Sequence, residues 1–225
     1  MAERALVTGG ANGIGRSICD FLEDKGFDVV ILDKVSPESS FTGKYFQTDF
    51  NDEAQTESSL LDALKDGPIT RLINNVGVVK PALLDNSNIN DFHEVMKVNV
   101  LAAVLAARAL LPGMKSESFG RIVNISSRTV LGKPLRTNYA ASKGALVSLA
   151  RTWALELSQD GITANVVCPG PIATELYRLA NPSDSPRTKA SLSNIPVGRI
   201  GEPEDIARAV MFFLDTSSSF VTGQT

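Results

Sequence analysis

The residues of this chain that could do chemistry fall in two short stretches. One, Tyr139-Ala140-Ala141-Ser142-Lys143, sets a phenol and an ammonium four residues apart, which on a helix puts them on one face, one turn apart. A free tyrosine titrates at about 10 and is a poor base at neutral pH, but a fixed cation beside it favours the phenolate and draws that value down. The spacing therefore predicts an acid/base pair, although a tyrosine packed on a lysine stem gives the same pattern on any amphipathic helix. Upstream, the run Arg121–Ile125 ends in Ser126-Ser127. A hydroxyl at the C-terminal end of a strand is placed to hold an oxygen on which charge develops.

The other stretch, Thr8-Gly9-Gly10-Ala11-Asn12-Gly13-Ile14-Gly15, links an apolar run to a helical pattern. Glycines let a pyrophosphate approach bare backbone, and the helix start offers unpaired N–H groups and the positive end of its dipole. The spacing differs from the general dinucleotide fingerprint, and a tight turn alone would also use glycine, but the strand–turn–helix setting favours nucleotide binding. Asp33 ends the second apolar run, 18 residues beyond Gly15. A carboxylate there accepts from ribose 2′- and 3′-hydroxyls and repels a 2′-phosphate, so NAD is expected over NADP. Lys34 beside it softens that expectation, because its ammonium could accommodate a phosphate.

Positioning these groups takes strands and helices in alternation. Ala5–Val7, Asp28–Leu32, Tyr45–Gln47, Arg71–Asn74, Arg121–Ile125 and Thr163–Val167 read as strands, most of them apolar on both sides as in a buried parallel sheet. Helices are expected over Ile14–Lys25, Glu53–Lys65, Ile89–Leu111 (ended by Pro112-Gly113), Asn138–Gln159 and Glu202–Leu214. The alternation predicts an α/β fold, a doubly wound parallel sheet with helices on both faces, in one domain over 1–225. The crossover after Leu32 holds Ser36, Pro37, Ser39 and Ser40, so a short or missing helix is expected there. The proline-rich excursion at about 170–201 reads as a surface loop or a lid over substrate.

Composition narrows the function. With 22 Lys+Arg against 25 Asp+Glu, the chain lacks the positive field of a nucleic-acid binder. Cys19 and Cys168 cannot build a disulfide framework or a four-thiolate zinc site, and the single His93 excludes two-histidine chemistry; no metal is expected. Cys168 reads as a small core residue, Ser142 as packing and His93 as solvent-facing. No signal-peptide pattern opens the chain, and the apolar stretch from Val100 to Ala107 is far short of the ~20 residues of a membrane span. A cytoplasmic protein is expected.

In this order, the Thr8–Gly15 glycine pattern, Asn74-Asn75-Val76-Gly77, Asn99, the serine pair, Tyr139 with Lys143, and Cys168-Pro169-Gly170 resemble the short-chain dehydrogenase/reductase family from end to end. The resemblance implies a Rossmann-like fold and a nicotinamide cofactor. It would be held by Gly9, Asn12, Gly13, Ile14, Gly15, Asp33, Asp49, Asn75, Gly77, Tyr139, Lys143, Pro169, Gly170, Ile172 and Thr174. It also implies that Tyr139 is the acid/base, that Lys143 bonds the nicotinamide ribose and depresses the tyrosine pKa, that Ser127 holds the reacting oxygen and that Asn99 supports a water-linked proton path. Strand register selects Ser127, 12 residues before Tyr139, whereas the family's usual separation of 13 would select Ser126.

Three departures stand out. Val76 replaces the family's alanine, the crossover from Asp33 to Lys44 is short, and the sequence stops at Thr225 where the family continues into a final strand. A missing last strand and an open sheet edge are therefore expected. The reading is an NAD-dependent oxidoreductase for a secondary alcohol and a ketone. Its alternatives are a 3-oxoacyl thioester reductase using NADPH and a silent nucleotide-binding scaffold. Arg128, Lys133 and Arg136 could attract an anionic substrate or could form a solvated basic loop. The resemblance also implies a homodimer or homotetramer.

Overall fold

The computed structural model describes residues 3–180 and 195–225. Six strands, β1 (Arg4–Thr8), β2 (Asp28–Asp33), β3 (Lys44–Gln47), β4 (Arg71–Asn74), β5 (Gly120–Ile125) and β6 (Ile162–Val167), form one parallel sheet in the order β3-β2-β1-β4-β5-β6. Leu6 of β1 lies opposite Val30 on one side and Leu72 on the other. Successive side chains of each strand point to opposite faces, and here both faces are buried. Leu6, Val30, Leu32, Leu72 and Ile122 enter one core with α2 (Glu53–Ala63), α4 (Ala102–Ser116) and α5 (Thr137–Leu157). Val7, Val29, Ile31, Ile73 and Val123 enter the other, against α1 (Gly13–Asp24) and α7 (Pro203–Leu214). Two buried faces explain why the strands read as continuous apolar runs. Two further helices complete the described elements, α3 (Ile89–Met96) before α4 and α6 (Glu175–Ala180) after β6.

The chain winds outward from β1 to β3, then returns to start again at β4. Loops leaving β1 and β4 therefore diverge, and the crevice between them lies at the C-terminal ends of the strands, where open α/β sheets bind ligands. No helix spans the crossover between β2 and β3, as the serines and proline led one to expect.

The helical run beginning at Ile89 does not stop at Pro112. It passes through a π-turn at Lys97–Leu101 and continues to Ser116. Its length and apolar composition would suffice to cross a membrane, and its buried face, including Ala102, Ala106, Leu110 and Met114, packs on the sheet core. Tertiary packing of this kind outweighs the cost of one interior proline.

The open edge expected at β6 is partly covered. Gly223 N–H donates to Ala164 O at 2.8 Å and Val166 N–H donates to Gln224 O at 2.9 Å. At the opposite, N-terminal ends of the strands, Arg71 and Arg121 are buried and clamp the Phe119 ring, 4.8 and 4.2 Å from its centroid. Their guanidinium groups donate to the carbonyls of Leu214, Asp215, Thr216 and Gly161, and Arg71 pairs with Glu3 at 2.9 Å.

Candidate active site

β1 leads directly into the glycine turn. Gly9 has φ +67° and Gly13 φ +56°, both in the region that side chains disfavour. A Cβ on Gly15 would collide with the Gly9 carbonyl oxygen and stand 2.6 Å from Asn75 Nδ2. α1 starts after Asn12 with no side-chain cap and no acidic residue in its first turn. By contrast, Asp52 caps α2, and Glu204 and Asp205 occupy the first turn of α7. A helix start left without its own carboxylate favours an external anion. The uncapped helix start thus fits a dinucleotide pyrophosphate, and the glycines let the turn close against Asn75 and Thr174 beside it.

The loops from β1 and β4 are fastened together. The buried Thr8 hydroxyl accepts from Asn75 N–H at 3.1 Å and Val76 N–H at 3.2 Å, while Asn75 Nδ2 donates to the carbonyls of Thr8 and Gly9. They border a cleft of about 750 Å³ whose lining includes Gly9, Asn12, Gly13, Ile14, Gly15, Asp33, Asp49, Asn75, Gly77 and Thr174. Val76 lines the same cleft and also packs on the core. Asp33, at the end of β2, is fixed by N–H donation from Ala11 at 3.0 Å and Val35 at 3.2 Å. Lys34 pairs with Asp49 at 2.7 Å, and that bond, with the Asn51 backbone N–H, holds the Asp49 carboxyl below its ordinary range.

A second cleft of about 730 Å³ adjoins the first, sharing Ile14, Asn75, Gly77, Val78, Glu94 and Thr174. Its lining includes Ser126, Ser127, Tyr139, Lys143, Pro169, Gly170 and Ile172. The two serines part company as strand alternation requires. Ser126 turns inward and donates to Lys143 O at 2.7 Å, whereas the Ser127 hydroxyl stands beside Tyr139 and pulls its pKa downward. Ser127 Oγ also accepts from Thr129 N–H at 3.2 Å, which fixes its position. Ser127, the serine that the register argument selects, keeps its hydroxyl clear of the Lys143 carbonyl that occupies Ser126.

Burial pushes the Tyr139 phenol above its ordinary value, and the opposing pulls come from Ser127 and Arg136. Lys143 Nζ lies 5.6 Å from the tyrosine ring centroid and donates to Ile125 O at 2.7 Å. Being buried, it is itself lowered to about 8. Desolvation disfavours both charged forms, the phenolate and the ammonium.

Asn99 stands behind the cleft, in the π-turn between α3 and α4. Its Oδ1 accepts from Val78 N–H at 2.8 Å, and its Nδ2 donates to Val78 O at 3.1 Å and Ser142 Oγ at 3.0 Å. This clasp holds the backbone after β4. At Gly77 an added Cβ would stand 3.2 Å from Lys143 Nζ. Ser142, read from sequence as packing, is a member of the clasp: fully buried, it also donates to Tyr139 O at 2.8 Å. A buried hydroxyl one residue before the lysine was the only available signal.

The base of the 170–201 excursion is pinned where Ala173 N–H donates to Gly201 O at 2.8 Å and Gly201 N–H to Pro171 O at 3.0 Å. The stretch carries α6, and its residues 181–194 lie outside those described. Cys168 is half-buried against the core, and His93 is exposed.

Comparison with known proteins agrees with this geometry. Residues 9–225 match the family model described as "Enoyl-(Acyl carrier protein) reductase". The chain is 35% identical to the 3-oxoacyl-[acyl-carrier-protein] reductase FabG of Haemophilus influenzae, covering 98% of this chain and 94% of that protein. It is also 35% identical to the acetoacetyl-CoA reductase of Shinella zoogloeoides, over 100% of this chain and 96% of the relative. Among solved structures, "ElxO with NADP Bound" superposes with a TM-score of 0.92 at 29% identity, covering 100% of this chain and 96% of that one. With the glycine cradle, the Ser127–Tyr139 pair and the buried Lys143 on one sheet edge, the chain belongs to the short-chain dehydrogenase/reductase family of oxidoreductases.

Proposed function

We propose that this oxidoreductase interconverts a secondary alcohol and a ketone with NAD, and that Tyr139 exchanges the proton with the substrate oxygen. One observation carries the reading: Ser127, Tyr139 and Lys143 line one cleft that adjoins the glycine-lined one. When bound, the nicotinamide supplies or accepts the hydride at the substrate carbon. In reduction Tyr139 gives its proton to the carbonyl oxygen, and the Ser127 hydroxyl stabilises the charge growing there. Lys143, with Nζ beneath Gly77, is the donor available to ribose hydroxyls. Asn99 and Ser142 act as positioning residues.

Asp33 favours NAD for the electrostatic reason already given, and the Lys34–Asp49 ion pair strengthens the preference by occupying the ammonium nearest a 2′-phosphate. A second reading, reduction of a 3-oxoacyl thioester, is favoured by the names of the relatives. α5 exposes Leu155, which fits assembly into a dimer or tetramer through apolar helix faces.

Fluorescence titration with NADH and NADPH, followed by alcohol, ketone and acetoacetyl-CoA turnover, tests the choice. NADH should bind at least about tenfold more tightly, and Tyr139→Phe should lower kcat by about 10²–10⁴ with cofactor affinity retained. Preferential reduction of acetoacetyl-CoA with NADPH would favour the thioester reading. Cofactor binding without turnover of any compound would favour a scaffold.

A further inference from the structure

The Ser127–Tyr139 pair is bracketed by two arginines. Arg128 follows Ser127 directly and Arg136 precedes Tyr139 by three residues, and both line the second cleft with Lys133. Lys80 and Glu94, in the same lining, pair with each other at 3.0 Å. Among the described residues neither Arg128 nor Arg136 takes part in an ion pair. Arg128 and Arg136 therefore put positive charge beside the reacting centre that the described carboxylate of the lining, Glu94, already paired with Lys80, does not match.

Both arginines are held in place by their backbones. Arg128 N–H donates to Pro169 O at 3.0 Å, and its Cδ lies 4.0 Å from where a Gly170 Cβ would stand, so its stem runs beside the Gly170 backbone. Arg136 forms a bridge with Ala82 and follows Leu135, whose φ of +63° is unfavourable for a side chain with a Cβ. Arg136 Nη1 donates to the carbonyl of that strained residue at 2.9 Å. Its charge opposes the upward effect of burial on the Tyr139 phenol, which lines the same cleft.

We propose that Arg128 and Arg136 form an anion subsite selecting a short oxo- or hydroxy-acid, whose carboxylate or other oxyanion lies a few bonds from the reacting carbon. A guanidinium one to three residues from the groups that hold the carbonyl reaches only such a near charge. The phosphates of a coenzyme A thioester lie at the far end of a long arm. The planar, five-donor guanidinium suits a carboxylate better than a lysine would. This assignment rests on the oxidoreductase reading above and narrows its substrate class.

Acetoacetate, methyl acetoacetate and acetoacetyl-CoA present the same ketone with a near charge, no charge and a remote charge. Wild type should prefer acetoacetate over the ester by about tenfold in kcat/KM. Arg136→Gln and Arg128→Gln should each cut that preference severalfold, through KM and with kcat little changed, and added salt should erode it. An ester turned over as well as the acid, or a preference untouched by both substitutions, overturns the subsite while leaving the oxidoreductase reading intact. A separate readout covers the case of no turnover. With NADH present, calorimetric affinity of Tyr139→Phe for acetoacetate should fall about tenfold on adding Arg136→Gln. Equal affinity overturns the subsite.

Discussion

Lys143 shows how one side chain trades stability for chemistry. Its amine is buried and lowered to about 8 from an ordinary 10.5, with desolvation as the leading cause. Between those values the unfolded chain keeps a proton that the folded chain has lost, so stability rises with pH across that window, and the full cost is present below about 8. A depression of this size corresponds to about 3 kcal/mol. Lys143→Met should therefore raise stability in urea melts at pH 7 by about 1–3 kcal/mol, less whatever the lost bond to Ile125 O contributed. That gain should shrink as pH rises from about 8 toward 10.5, and turnover should be lost. An unchanged or lowered midpoint at pH 7 would mean that the ammonium is not the burden its burial implies. The sequence made Tyr139 and Lys143 visible through their spacing alone. It could not show which neighbours set their proton affinities, because burial depends on the whole surrounding fold.

Among elements, the π-turn before α4 is the least legible and the most consequential. One extra residue in a helical turn barely alters the apolar pattern around it, so the run from Ile89 reads as one uninterrupted helix. In the fold that turn aims Asn99 at Val78 and Ser142. Asn99→Ala would leave the partly buried Val78 backbone groups without these partners, costing about 1–3 kcal/mol. It should lower kcat more than it raises the KM for cofactor, as differential scanning calorimetry and steady-state kinetics together would show. A variant with wild-type melting and kinetics would remove Asn99 from the positioning of the site. Pro112 misleads for the opposite reason: a strong local stop signal is overridden by the packing of Leu110 and Met114 on the sheet. The strands are legible almost to the residue, since double burial gives each a compact apolar signature that turns interrupt.

Across the whole molecule, chemistry and anchorage occupy opposite ends of the sheet. The C-terminal ends of the strands carry both clefts, while the N-terminal ends carry the Arg71–Phe119–Arg121 clamp. Phe119→Ala should lower stability by about 2–4 kcal/mol in urea melts, with KM for cofactor and substrate unchanged in the folded fraction. A shifted KM would show that the two ends communicate. From sequence, Arg71 and Arg121 are simply charged residues at strand starts, and their shared partner becomes visible only when β4 and β5 lie side by side. The doubly wound layout itself was legible, because alternating apolar runs and helical patterns admit few other arrangements. Thr8 has the last consequence. The sheet is two mononucleotide halves laid back to back, and a threonine oxygen buttons one to the other at their seam. Valine has nearly the same shape and would keep the apolar layers shut, but it would leave the seam to the Asn75 amide alone. A dinucleotide lying across both halves would then rest on a bed stitched at two points where there had been four.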